Sequence, residues 1–137
     1  NSFSSSSQVN WTEKLFNNLG KTVILEKESQ IDAVTAISGS GPAYIFNFAE
    51  TVIEIGKELG LSEQISKKIV LQTIVGAGLL ANNSDKSPSK LRENVTSPNG
   101  TTQAALNILM DEKNGWHGII KNAVFAAHKR SKILAKN

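Results

Sequence analysis

Cysteine is absent from the 137-residue sequence, which excludes a disulfide framework, a thiolate nucleophile and a cysteine-ligated zinc site. No apolar run approaches the ~20 residues that a membrane helix requires. The start of the chain is polar, with serine at positions 4–7, and lacks the basic and apolar segments of a secretory signal. The expected compartment is the cytosol, with no membrane partner. Net charge is only +3, with acids scattered among the bases, so the dense basic stripe of a nucleic-acid binder is missing. The cluster Lys129, Arg130, Lys132 and Lys136 reads instead as cations closing a helix, where they complement the carbonyl end of its dipole. The two histidines, His117 and His128, stand about three helical turns apart, too far for shared ligation, and no metal is expected.

What remains is the composition of an ordinary globular domain, 39% hydrophobic and 20% charged, at a length that suits one domain rather than two. Residues 10–20 read as a short helix, with Asn10 as N-cap, Trp11, Leu15, Phe16 and Leu19 at helical spacing, and Gly20 as terminator. Residues 22–25 then read as a strand. One helix and one strand cannot close a sheet, and a lone strand leaves both edges unpaired. The pair therefore reads as the tail of something larger.

From residue 30 the pattern is helical to the end, giving an all-α fold class with helices expected over 31–37, 42–59, 63–81, 88–94, 101–111 and 116–135. Ser62 is placed to cap the helix over 63–81, and Ser87 followed by Pro88 supplies a capping hydroxyl and then a proline at the first helical position. The second half of the 63–81 helix is apolar around much of its circumference, as in a helix buried on more than one side. Gly76 and Gly78 within it cost roughly 1 kcal/mol each in helix propensity, which suggests another backbone packed closely there. A second copy of the chain is the expected neighbour.

Two stretches are unusual for a bundle of helices. In Ser38-Gly39-Ser40-Gly41-Pro42, glycines bring bare backbone close to something, and Pro42 opens a helix whose free N–H groups face the same space. In Val95-Thr96-Ser97-Pro98-Asn99-Gly100-Thr101-Thr102, a turn delivers two threonines onto the first turn of a helix, where unpartnered amides suit a carboxylate or phosphate. Both stretches can also be read as merely capped interhelix turns, since these are the residues turns use, and periodicity and spacing do not decide between the two readings. The first does not match the G-x-S-x-G elbow of a hydrolase, and no complete G-x-G-x-x-G is present.

At these two stretches, in the segments 32–44 and 91–106, the sequence resembles pyrroline-5-carboxylate reductase, and the likeness runs from about residue 20 to the end. Asn99 departs from the family pattern, standing where the family has the first glycine of a pair. Asparagine tolerates a left-handed backbone better than other non-glycine residues, so the turn is expected to persist. The resemblance implies the carboxy-terminal, helical, dimerising domain of a two-domain enzyme that reduces 1-pyrroline-5-carboxylate to L-proline with NADPH or NADH, held mainly by an amino-terminal Rossmann domain. Residues 1–9 would then be a flexible polar start, 10–28 a helix-strand remnant of that Rossmann domain, and 29–137 the dimerisation and substrate-binding domain. It also implies a homodimer or higher homo-oligomer.

By the same resemblance, Val95, Ser97, Pro98, Asn99, Gly100, Thr101 and Thr102 would bind substrate, with the amides of Gly100, Thr101 and Thr102 on the carboxylate and the catalytic Thr102 hydroxyl on the ring nitrogen. Ser38, Gly39, Ser40, Gly41 and Pro42 would meet the nicotinamide end of the cofactor. Without a dinucleotide fingerprint of its own, the chain by itself is expected to be inactive. The rival class is a helical dimerisation or adaptor module with no substrate. A hydroxy-acid dehydrogenase with a helical second domain fits less well, because its catalytic helix lysine has no distinctive counterpart here.

Overall fold

A computed structural model of the chain describes residues 3–135. Asn1, Ser2 and Lys136, which belong to the polar start and the basic cluster, lie outside the described residues. The described residues are all-helical and contain no strand. Seven α-helices follow in order: α1 Ser6–Phe16, α2 Ile31–Val34, α3 Gly41–Glu58, α4 Glu63–Asn82, α5 Pro88–Asn94, α6 Thr101–Leu109 and α7 Trp116–Leu134. A 3-10 turn, Glu28–Gln30, leads into α2, and a π-helical turn, Thr35–Gly39, joins α2 to α3.

The helix expected over 10–20 starts four residues earlier, inside the stretch read as a flexible start. Its N-cap is Ser5, not Asn10: the Gln8 amide donates to Ser5 Oγ at 3.4 Å and the Ser5 amide donates to Gln8 Oε1 at 2.8 Å, forming a reciprocal capping box. The strand expected over 22–25 is absent. Thr22 instead folds back on the helix end, its amide and hydroxyl both donating to Asn17 Oδ1 at 3.1 and 2.6 Å. β-Branched residues favour a strand only when a neighbouring strand accepts their backbone bonds, and none lies alongside.

The later helices start where their caps place them. Ile65 N donates to Ser62 Oγ at 3.3 Å and Lys90 N to Ser87 Oγ at 3.3 Å. The α3–α4 hairpin carries the most extensive helix packing of the chain. Its crossing is close because a Cβ on Gly56 would come within 3.0 Å of Ser66 Cβ, and Ser66 is fully buried there. Next comes the packing of α7 against the π-turn and α2. Neither α1 nor the α5–α6 arm packs comparably on any other helix.

A core barely exists within one chain. Among the described hydrophobic side chains only Ala36, Ala49 and Val70 are buried. The accessible surface of 11519 Å² exceeds by about 4,500 Å² the roughly 7,000 Å² of a compact monomer of 14.8 kDa. Leu71, Val75, Leu79 and Leu80 on the second half of α4 are exposed, and among the described residues nothing beyond the local helix backbone comes within 4 Å of a Cβ built on Gly76 or Gly78. Among the described residues none supplies the close neighbour those glycines imply.

Candidate functional site

The turn before α6 is built from its own residues. Thr96 N donates to Glu93 O at 3.0 Å and Thr96 Oγ1 to Arg92 O at 2.7 Å, fastening the turn to the end of α5. Gly100 N donates to Ser97 O at 3.1 Å, and Asn99 sits at φ 58°, the one described non-glycine residue in the left-handed region. That conformation reverses the chain between Pro98 and Gly100 and is the one expected of an asparagine in place of glycine. A Cβ on Gly100 would collide with Ser97 Oγ and come within 3.1 Å of Ser97 O, so the turn closes this tightly only on glycine.

Gly100 is the N-cap of α6, and no side chain caps that helix start. The Gly100 amide is engaged within the turn, but those of Thr101 and Thr102 have no acceptor among the described residues. Two adjacent amide donors at the positive end of a helix are groups that suit an anion. Thr102 is half-buried, whereas Thr101, Ser97, Pro98, Asn99 and Val95 are exposed. Thr102 is thus the less exposed of the two threonines at this helix start, and its own amide is one of the two without an acceptor.

The turn 38–42 arises differently. Ser40 N skips a helical partner and donates to Thr35 O at 2.8 Å, so Ser38 and Gly39 lie in a π-helical turn. Such turns recur at functional sites. The phenol of Tyr44, one turn into α3, donates to Ala36 O at 3.0 Å, and Ala36, the second residue of the π-turn, is 1% exposed. Pro42 lies in the first turn of α3, as its lack of an N–H favours. A Cβ on Gly41 would meet no atom within 4 Å, leaving bare backbone facing open space.

Within the chain, the π-turn packs on α7, α2 and α3, with no comparable contact to α6. The two turns are thus separate features of one protomer. Neither carries a titratable side chain. Beside the π-turn, α3, the end of α6 and the start of α7 form an apolar groove of about 610 Å³, with Phe48 and Trp116 ring to ring at 5.4 Å between centroids. Sequence periodicity did not single out this groove, because its residues come from three helices far apart in the chain. Among the described residues no metal-ligating cluster occurs, and no helix is long and apolar enough to cross a membrane.

The family model for pyrroline-5-carboxylate reductase dimerisation matches residues 28–134. The chain belongs to the pyrroline-5-carboxylate reductase dimerisation family. It is 42% identical over 132 residues to the pyrroline-5-carboxylate reductase of Pseudomonas aeruginosa, covering 96% of this chain and 48% of that protein. The Pisum sativum enzyme of the same name is 40% identical over 127 residues, covering 93% of this chain and 45% of its own length. Among solved structures, the Coxiella burnetii pyrroline-5-carboxylate reductase superposes with a TM-score of 0.92 at 35% identity, covering 98% of this chain and 49% of that one. The NADP-bound Plasmodium falciparum pyrroline carboxylate reductase gives 0.84 at 39% identity, covering 97% and 52%. The chain spans about half the length of the curated relatives it matches.

Proposed function

We propose that this chain is the carboxy-terminal helical half of a cytosolic, NAD(P)H-dependent pyrroline-5-carboxylate reductase, which reduces 1-pyrroline-5-carboxylate to L-proline. The observation that carries the reading is the Asn99 turn, which presents the free Thr101 and Thr102 amides at an uncapped helix start in a chain of this family. In this reading residues 10–28 belong to the preceding dinucleotide-binding domain and 29–137 form the substrate-binding and dimerisation domain, after a polar start at 1–9. The turn residues Val95, Ser97, Pro98, Asn99 and Gly100 shape the pocket wall, with Gly100 allowing the tight closure.

The substrate's carboxylate is received by the Thr101 and Thr102 amides. The Thr102 hydroxyl then reaches the ring nitrogen, donating to the imine or accepting from its protonated form. Reduction needs the imine carbon held about 3–3.5 Å from the hydride donor. With no titratable group in either turn, this half contributes orientation and hydrogen bonding. The residues present suit only one end of a nicotinamide cofactor: Gly41 leaves bare backbone beside open space, and the chain has no glycine-rich pyrophosphate cradle. When bound, the cofactor supplies the hydride. Ser38, Gly39, Ser40, Gly41 and Pro42 would border its nicotinamide end.

The excess surface and the bare second half of α4 support a homodimer in which a second copy covers the exposed apolar faces, since obligate interfaces bury about 2,000–5,000 Å². Sedimentation of the purified chain at micromolar concentration should give a dimer or larger, and a monomer at every concentration would contradict it. The reaction itself is tested by following nicotinamide absorbance. The full-length protein should oxidise NADPH or NADH only when 1-pyrroline-5-carboxylate is added, whereas this chain alone should give no signal above the blank. A full-length protein silent toward that substrate with both cofactors would overturn the assignment.

A further inference from the structure

The π-turn over 35–39 is packed against α7, α2 and α3. A π-helical register is uncommon and persists where its surroundings hold it. One hydrogen bond reaches this turn directly and a second fixes α2, the helix that leads into it. On one side Tyr44 Oη donates to Ala36 O at 3.0 Å. On the other, Ser131 Oγ near the end of α7 donates to Asp32 Oδ1 in α2 at 2.6 Å, bridging a separation of 99 residues. Both Ser131 and Asp32 are half-buried.

The chemistry of the second tie is specific. Lys129, Arg130 and Lys132 surround Ser131 in sequence, yet among the described residues none forms an ion pair with Asp32. An ion pair with a long flexible lysine would tolerate many relative placements of α7 and α2. A serine hydroxyl on a carboxylate is short and directional, and it fixes one. α7 lies directly on the π-turn, so the placement of α7 sets the position of the backbone over 38–42.

We propose that Asp32 and Ser131, with Tyr44 on the opposite flank, are positioning residues that fix the π-turn and thereby the 38–42 backbone at the reaction centre. The proposal rests on the reductase reading for its kinetic consequence, and on the π-turn geometry alone for its structural one. Its test uses the full-length protein and the variants Ser131→Ala, Ser131→Thr and Tyr44→Phe. Loss of one charge-assisted hydrogen bond should make Ser131→Ala lower kcat by about 10-fold, with KM for the imine changed by less than about twofold. Ser131→Thr keeps the hydroxyl and should recover most of the rate. Hydrogen exchange at the amides of residues 36–41 should quicken in Ser131→Ala and Tyr44→Phe, while that of residues 95–102 stays as in the parent. Unchanged kcat, unchanged exchange over 36–41, or a threonine variant as impaired as the alanine one would each overturn the proposal. Should the parent protein show no reductase activity, the functional reading fails, and the exchange comparison alone decides whether these residues hold the turn.

Discussion

The two turns that carry the family likeness are made in opposite ways. The turn over 95–102 is closed by bonds among neighbours: Thr96 to Arg92 and Glu93, Gly100 to Ser97, and the left-handed Asn99 between them. The π-turn over 35–39 instead depends on distant parts of the chain, with α7 packed over it and Tyr44 reaching back to the Ala36 carbonyl. The difference matches what each turn would have to do. A carboxylate receptor needs two amides pointing one way, which a short local motif provides. A surface against which another domain's cofactor lies must keep its place relative to the whole helical unit, and only tertiary contacts can set that.

The sharpest way to separate chemistry from framework in the local turn is Thr102→Ala in the full-length protein. Removing a hydrogen bond to a charged group is worth roughly 1.5–3 kcal/mol, so kcat/KM should fall by about 10–150-fold. The melting temperature should change little, because Thr102 makes no hydrogen bond of its own side chain among the described residues. Retention of full activity would return the turn to the role of an interhelix cap. A smaller effect probes its geometry. Asn99→Ala places a Cβ-bearing residue without a compensating polar side chain at φ 58°, which should cost about 1 kcal/mol in urea denaturation. Asn99→Gly should cost nothing or stabilise slightly. Equal stabilities for the alanine and glycine variants would show that the left-handed backbone is not what holds this turn.

The same contrast explains which features could be read from the residues. The caps at Ser62 and Ser87, the start of α6 at Thr101 and the left-handed Asn99 are all local, and each was legible from a few adjacent side chains. The π-turn was not. Residues 31–37 show ordinary helical spacing, and the slip of one residue between Thr35 and Ser40 comes from packing that sequence periodicity cannot see. The start of α1 was missed for another reason. In a run of serines every hydroxyl is a possible cap, and only the partner Gln8, three residues on, marks Ser5 as the one used.

The strand expected over 22–25 was an error of propensity. Thr22, Val23 and Ile24 favour an extended strand only beside another strand, and here Thr22 bonds to Asn17. Legibility fails most completely for Asp32 and Ser131, because nothing in a linear pattern joins residues 99 positions apart. The expected close neighbour of Gly76 and Gly78 lies between these extremes. The sequence signalled that something packs there, and none of the described residues supplies it.

We propose that the amides of Thr101 and Thr102 form a carboxylate receptor. It is tested most directly by titrating L-proline, and separately pyrrolidine as its counterpart without a carboxylate, while following backbone amide resonances. Proline should shift the Thr101 and Thr102 amides saturably, pyrrolidine should leave them in place, and the amides of residues 38–41 should move less than either threonine. Identical responses to the two compounds, or a proline response confined to other residues, would contradict the assignment.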